Sequence, residues 1–218
     1  MFRPQIQKTY VLVSLASLCL FCVYLASNSF VKIDIAKDFP EIDRNKFNLK
    51  EIHKDQAVIK MQKYLSSLKV EIPEFDSSYT INDYIDPNNT GLIFEQIDTT
   101  FMTGEGSLPS KQTVLKSNFA ALLVELFNEA NLIAGDTIAV AMTGSMPGAN
   151  IALHAVCYTM KITPMIISSV GSSEYGAVHP NFTWLDMEKA LFDKGKILNK
   201  SIAVSLGGKG DLYKQKLD

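Results

Sequence analysis

The stretch GDTIAVAMTGSMPGANIALHAVCYTMKITPMIISS, Gly135 to Ser169, decides the fold. Gly135-Asp136 turns the chain into the apolar run TIAVAM (137–142), short enough to be a buried strand. The run ends in small residues, TGSMPGAN (143–150). A helix is predicted at about 148–160, with Ile151, Ala152, Ala155 and Val156 on one side. Pro164 then opens a second run, PMIISS (164–169), at a strand position where a missing N–H does little harm. Strand, helix, strand is the unit of a parallel sheet.

The pattern continues outward in both directions. Upstream, Phe119, Leu122, Leu123, Leu126, Phe127 and Ala130 fall at i, i+3, i+4, i+7, i+8 and i+11, one face of a helix. Downstream, FTWLDM (182–187) reads as a helix start. Thr183 is the N-cap, Asp186 completes a capping box, and Phe182 with Met187 forms the hydrophobic staple. Gly195 ends that helix, and SIAVSL (201–206) is a third strand. Near-continuous apolar strands alternating with helices predict an α/β fold, a small parallel sheet with helices on both faces. Three strands make an incomplete-looking sheet. The sequence stops twelve residues after the third strand, so a partner or a longer domain is expected to complete it.

Composition narrows the function classes. The 218 residues are 47% hydrophobic and 20% charged, too apolar for a disordered chain. A net charge of −2, with no basic stripe, argues against nucleic acid as a partner. Three cysteines in so long a chain cannot be a disulfide scaffold. The apolar residues are unevenly spread. Tyr10 to Ala26 carries no charge, the uncharged run continues to Val31, Arg3 and Lys8 precede it, and no acid occurs before Asp34. About 20 apolar residues span a bilayer. Positive charge on the N-terminal side orients such a segment N-terminus inward. Residues 10–31 are therefore expected to cross the lipid bilayer once, with a cytoplasmic tip and an extracytoplasmic main domain. A cleaved signal peptide is the rival reading. Cys19 and Cys22 lie inside the segment and lack the small preceding residue of a lipoprotein site. Cys157, among Ala155, Val156 and Tyr158, reads as a buried apolar thiol. Without residues 1–31 there remain 19 basic and 23 acidic residues, a net charge of −4.

Three regions result: a tip and anchor (1–31), a polar stalk or membrane-proximal helical region (32–88), and the α/β domain (89–218). In the second, Leu49 to Leu68 predicts a helix whose imperfect apolar face holds Ile52, Ala57, Ile59, Met61, Tyr64, Leu65 and Leu68. IDPNNTG (85–91) is a turn by composition.

Each predicted strand of the domain runs into a loop of small residues: TGSMPGAN, SVGSSEYGA (169–177) and GGKGD (207–211). Ligands of open parallel sheets bind beyond the carboxyl ends of the strands. Backbone N–H groups at helix starts favour anions there. Thr143, Gly144, Ser145, Asn150, Ser169, Gly171, Ser172, Gly207, Gly208 and Asp211 are the ligand-binding candidates. The competing reading gives these glycines to tight turns alone. Ser145, or Thr143, is a candidate nucleophile, and it needs a base. His179, in a loop before Pro180, is the candidate base. His154 lies beside apolar residues on a helix and reads as a core histidine. Lys111 in GSLPSKQT and Lys209 in GGKG read as exposed cations near the loops. Asp186 and Glu188 diverge at i and i+2, so they are not a carboxylate pair. GSMPG is not the GxSxG elbow, and neither P-loop nor Rossmann spacing occurs, so no cofactor is implied. Histidines scattered at 53, 154 and 179 predict no metal site.

Longer motifs add a family resemblance. DPNNTGLIFEQIDTTF, GSLPSKQT, NFAALLVELF, GDTIAVAMTGSMPGANIALHA, PMIISSVGSSEYGAVHPNFTWLDMEKAL and SIAVSLGGKGD together resemble the poly-gamma-glutamate system protein family over about residues 80–212. The resemblance implies a role in producing bacterial capsule-like poly-γ-glutamate, with the membrane components of the synthetase as partners. It agrees with an N-terminal anchor. The family motif usually reads GSFPALN, so Met146, Gly148 and Ala149 depart from it. Family members also run on past the GG-D motif. Two functions follow: an extracytoplasmic accessory component that binds polymer or a partner at the strand-end loops, or a hydrolase or transferase acting on γ-glutamyl bonds through Ser145.

Overall fold

A computed structural model of the protein describes residues 44–95 and 100–208, with side chains from Asn48 on. The elements run α1 (Arg44–Phe75), β1 (Met102–Gly104), α2 (Leu108–Val114), α3 (Phe119–Glu129), β2 (Thr137–Thr143), α4 (Pro147–Met160), β3 (Thr163–Ser169), β4 (Ser172–Ser173), α5 (Trp184–Asp193) and β5 (Ala203–Ser205). The three expected strands pair in parallel in the order β2-β3-β5. A second, two-stranded parallel sheet joins β1 to β4. The protein is α/β.

Local chemistry explains the element ends. The Asp186 carboxylate accepts the Thr183 N–H at 2.8 Å and the Thr183 hydroxyl at 2.6 Å. The capping box is therefore formed, and Phe182 and Met187 beside it are both buried. Past α5, Gly195 adopts φ +62, and the Lys196 N–H returns to the Leu191 carbonyl. That is a left-handed helix end.

One expectation fails at the sheet. Along β3 the burial alternates, with Pro164, Ile166 and Ser168 buried and Thr163, Met165 and Ile167 exposed. Ile138, Val140 and Met142 of β2 share the covered side by register, while Ala139 and Ala141 share the open side. Among the described residues the helices cover one face, not both. A continuous apolar run is compatible with burial on two sides but does not require it: the open side carries Met165 and Ile167 beside Ala139 and Ala141.

The polar region also reads differently. On α1, Ala57, Met61, Tyr64, Leu65, Leu68 and Ile72 are buried in the same core as Ile151, Val156, Ile166 and Trp184. Their spacing is one helical stripe, whereas Leu49, Ile52 and Ile59 are about half exposed. The described residues from Asn48 on belong to one compact unit, so α1 is a core helix there rather than a stalk. The turn at 85–91 does not separate domains either. Buried Asp86 ties it by accepting the N–H of Thr90 at 2.8 Å, its hydroxyl at 2.9 Å and the N–H of Gly91 at 2.6 Å. The buried run Leu92-Ile93-Phe94 follows directly.

Helix α3 exists where its periodicity predicts, but its buried side is Ala120 and Val124. It packs against α4, and Leu122 and Leu126 remain about half exposed. Among the described residues no helix is long and apolar enough to cross a membrane. The segment expected to do so, 10–31, lies outside them.

Candidate functional site

The loops after β2, β3 and β5 meet. The Gly144 N–H donates to the Ser169 carbonyl (3.1 Å), that of Val170 to Ser205 (3.1 Å) and that of Gly171 to Leu206 (3.0 Å). Returning from the second loop, the Ala177 N–H donates to the Gly144 carbonyl (2.8 Å). The Thr143 hydroxyl reaches the Gly171 carbonyl at 3.2 Å. Asn150, on the first turn of α4, donates its amide to the Thr143 carbonyl at 2.9 Å and so locks helix to strand. Gly207 and Gly208 carry φ of +76 and +80, which favours glycine there. Asp211 and Lys209 lie outside the described residues.

A fourth segment, which no motif announces, joins them. Strand β1 pairs with β4, placing Thr103 so that its hydroxyl donates to the Ser172 carbonyl at 3.2 Å. The packing between loops is backbone on backbone. A Cβ on Gly176 would stand 2.7 Å from the Gly144 carbonyl oxygen and 2.9 Å from that of Ser145. Gly176→Ala is therefore expected to destabilise the protein by about 1–3 kcal/mol through forced loop movement. A urea midpoint unchanged from wild type would contradict that packing.

The hydroxyls gather at the centre. Ser145 Oγ accepts the Ser173 N–H at 2.9 Å and lies 3.2 Å from Thr143 Oγ1. Above them sits Lys111, on α2. It is not an exposed cation: the residue is only 2% exposed. Its Nζ donates to Ser173 Oγ at 2.7 Å and also to the Ser145 carbonyl. Gly148 helps bring it there, because a Cβ at that position would stand 2.6 Å from the Val114 carbonyl oxygen at the end of α2. Burial lowers the Lys111 ammonium to about 8. Among the described residues no carboxylate forms an ion pair with it.

Against known proteins, the chain matches no family, no curated sequence and no solved structure. The site must be read from its own geometry.

Among the described residues no hydrogen bond joins His179 to Ser145. The His179 Nε2 faces the Asp76 carboxylate at 3.4 Å, and its Nδ1 accepts the Asn181 N–H at 3.2 Å. Both ring nitrogens are thus engaged elsewhere, and the ring packs on Phe94. Hydrogen bonds from Ser78, with a lesser part from His179, hold the Asp76 carboxyl below its usual range. His154 is a core histidine, 4% exposed, beside the Trp184 ring and 3.8 Å from the Glu188 carboxylate. Glu188 accepts the N–H and hydroxyl of Ser201, while Asp186 serves the cap, so the two acids do diverge. Cys157 is buried and its thiol is pushed up to about 12 by burial, which leaves it unreactive.

Among the described residues, cavities of about 410 and 430 Å³ open elsewhere. One is bounded by Gln62, Lys69, Asn88 and Lys116, the other by His154, Tyr158, Lys161 and Ile197. Neither is lined by a strand-end loop. The loops themselves carry half-buried hydroxyls of Thr143, Ser145 and Ser173, joined by hydrogen bonds to one another's loops and to one buried amine.

Proposed function

We propose that this protein is a membrane-anchored, extracytoplasmic accessory component of bacterial poly-γ-glutamate synthesis or export. It acts with the membrane components of the synthetase and binds the polymer at the strand-end loops. The observation that carries the reading is the meeting of TGSMPGAN, SVGSSEYGA and SLGG at one end of one sheet, since these are also motifs of the family resemblance. The γ-linked chain presents carboxylates and amides, and the hydroxyls of Thr143, Ser145 and Ser169 suit both. The first turn of α4 adds partial positive charge.

A hydrolase or transferase with Ser145 as nucleophile is the less favoured form, because His179 is held by Asp76 and Asn181. Deleting the gene tests the main reading. Surface poly-γ-glutamate is expected to fall or shorten, and to recover on complementation. Polymer unchanged in amount, length and attachment overturns it.

A further inference from the structure

We propose that Ser173 and Lys111 form a catalytic serine–lysine pair that transfers an acyl group from an amide. Its substrate class, a γ-linked glutamyl amide, rests on the function proposed above; the pair itself does not.

The geometry is that of a nucleophile and its base. Ser173 Oγ and Lys111 Nζ are 2.7 Å apart, within the range for proton transfer. Ser173 is half-buried and its backbone is fixed twice, by pairing of β4 with β1 and by its N–H bond to Ser145 Oγ. The Ser145 carbonyl takes one N–H of the lysine. In the amine form that contact uses one N–H and leaves the nitrogen lone pair free to accept the Ser173 proton. Lys111 is the one buried lysine among the described residues. An ammonium buried among neutral partners is unfavourable, and a mere tie between two loops could use a neutral side chain. Burial is also the standard way to make a lysine a base, and serine–lysine pairs are a known variant of serine catalysis.

The step balances with water as the second reactant. Ser173 Oγ bonds to the acyl carbon as its proton moves to Lys111 Nζ, giving a tetrahedral oxyanion. The adduct collapses, the C–N bond breaks, and the departing amine takes the proton from Nζ. Water then gives a proton to Nζ and attacks the Ser173 ester, releasing the acid and restoring the hydroxyl as that proton returns to Oγ.

The test uses the full-length protein in detergent, a fluorophosphonate probe, and poly-γ-glutamate. Intact mass and peptide mapping are expected to find the phosphonate on Ser173. Its rate is expected to rise with pH to a plateau, with a midpoint near 8. Ser173→Ala is expected to remove the adduct. Lys111→Met is expected to slow labelling by about 100-fold or more while circular dichroism and the urea midpoint report a folded protein. An unlabelled Ser173 in the folded wild-type protein overturns the pair, and so does an equal labelling rate in folded Lys111→Met. Shortening of poly-γ-glutamate that needs both residues supports the pair and its substrate. Labelling that depends on Lys111 without any change in polymer length supports the pair and counts against the polymer as its substrate.

Discussion

Trp184→Ala is expected to lower the stability of the folded unit by about 3–5 kcal/mol, enough to consume much of what a domain normally has. Trp184 is fully buried and opens α5. Its ring lies against His154 of α4, and its indole N–H donates to Ser168 Oγ of β3 at 3.2 Å. Ser168 in turn shares a 2.7 Å hydrogen bond with Ser201, and Ser201 donates to Glu188. The indole therefore fills space between two helices and starts a polar chain running under the sheet toward β5. Removing it leaves a void lined by groups that cannot all collapse inward, and it takes the donor from a buried hydroxyl. Trp184→Phe keeps most of the ring and is expected to lose less than half as much. Urea unfolding must be followed by circular dichroism, because Trp184 is the only tryptophan. A loss below about 1 kcal/mol for the alanine variant would mean that the ring is not a core element.

How far the sequence carries can be judged at particular residues. The strand and helix bounded by Thr137 and Met160, and the Thr183–Asp186 cap, are local patterns, and the structure matches them nearly residue by residue. Faces are harder. The stripe Ala57, Met61, Tyr64, Leu65, Leu68 and Ile72 is present in the sequence, but Ile52 and Ile59 blur it. The many charges on the outer side of α1 make the whole helix look like a stalk. On α3 two apolar stripes coexist, and only packing against α4 chooses Ala120 and Val124 over Leu122 and Leu126. The uncovered side of the sheet is invisible for the same reason: burial is decided by what arrives from elsewhere in the chain.

The site shows the same division. Small-residue loops at strand ends announce a meeting point, and they do meet. Strands of two and three residues, β4 and β1, carry too little periodicity to be seen, so nothing local marks Thr103 or Ser173. Lys111 sits in a seven-residue helix, LPSKQTV, with no apolar face to say which side is inward. Its burial depends on the close approach of α2 to α4 at Gly148, one of the positions that depart from the resembled motif. Sequence alone makes that lysine a surface charge. The fold makes it the most unusual group in the site.

The stability of the protein is expected to rise with pH just above neutrality, and Lys111 is the reason. An ordinary lysine titrates near 10.5, and burial brings Lys111 to about 8 in the folded chain. Between those values the unfolded chain binds a proton that the folded chain does not, so unfolding is disfavoured as pH rises. At pH 7 the buried ammonium opposes folding by roughly 3 kcal/mol, since each pH unit between the two titration points is worth about 1.4 kcal/mol. From pH 8 to 9 about 1 kcal/mol of that is relieved. Other groups act in the opposite sense higher up. Cys157 titrates near 9 when unfolded and about 12 when folded, and burial raises the phenols of Tyr64 and Tyr79 above their ordinary 10. Above pH 9 and pH 10 respectively, these groups lose protons first in the unfolded chain and lower stability. The interval from pH 8 to 9 is therefore where Lys111 is seen with least interference. Urea unfolding across it should show wild-type stability climbing and Lys111→Met falling slightly as the unfolded Cys157 thiol begins to ionise. At pH 7 the methionine variant, relieved of the charge but without the bonds to Ser173 and the Ser145 carbonyl, is expected to be about 1–2 kcal/mol more stable than wild type. A Lys111→Met protein that follows the wild-type curve through pH 8–9 would place the titrating proton on some other group and leave Lys111 a permanently charged tie between the loops.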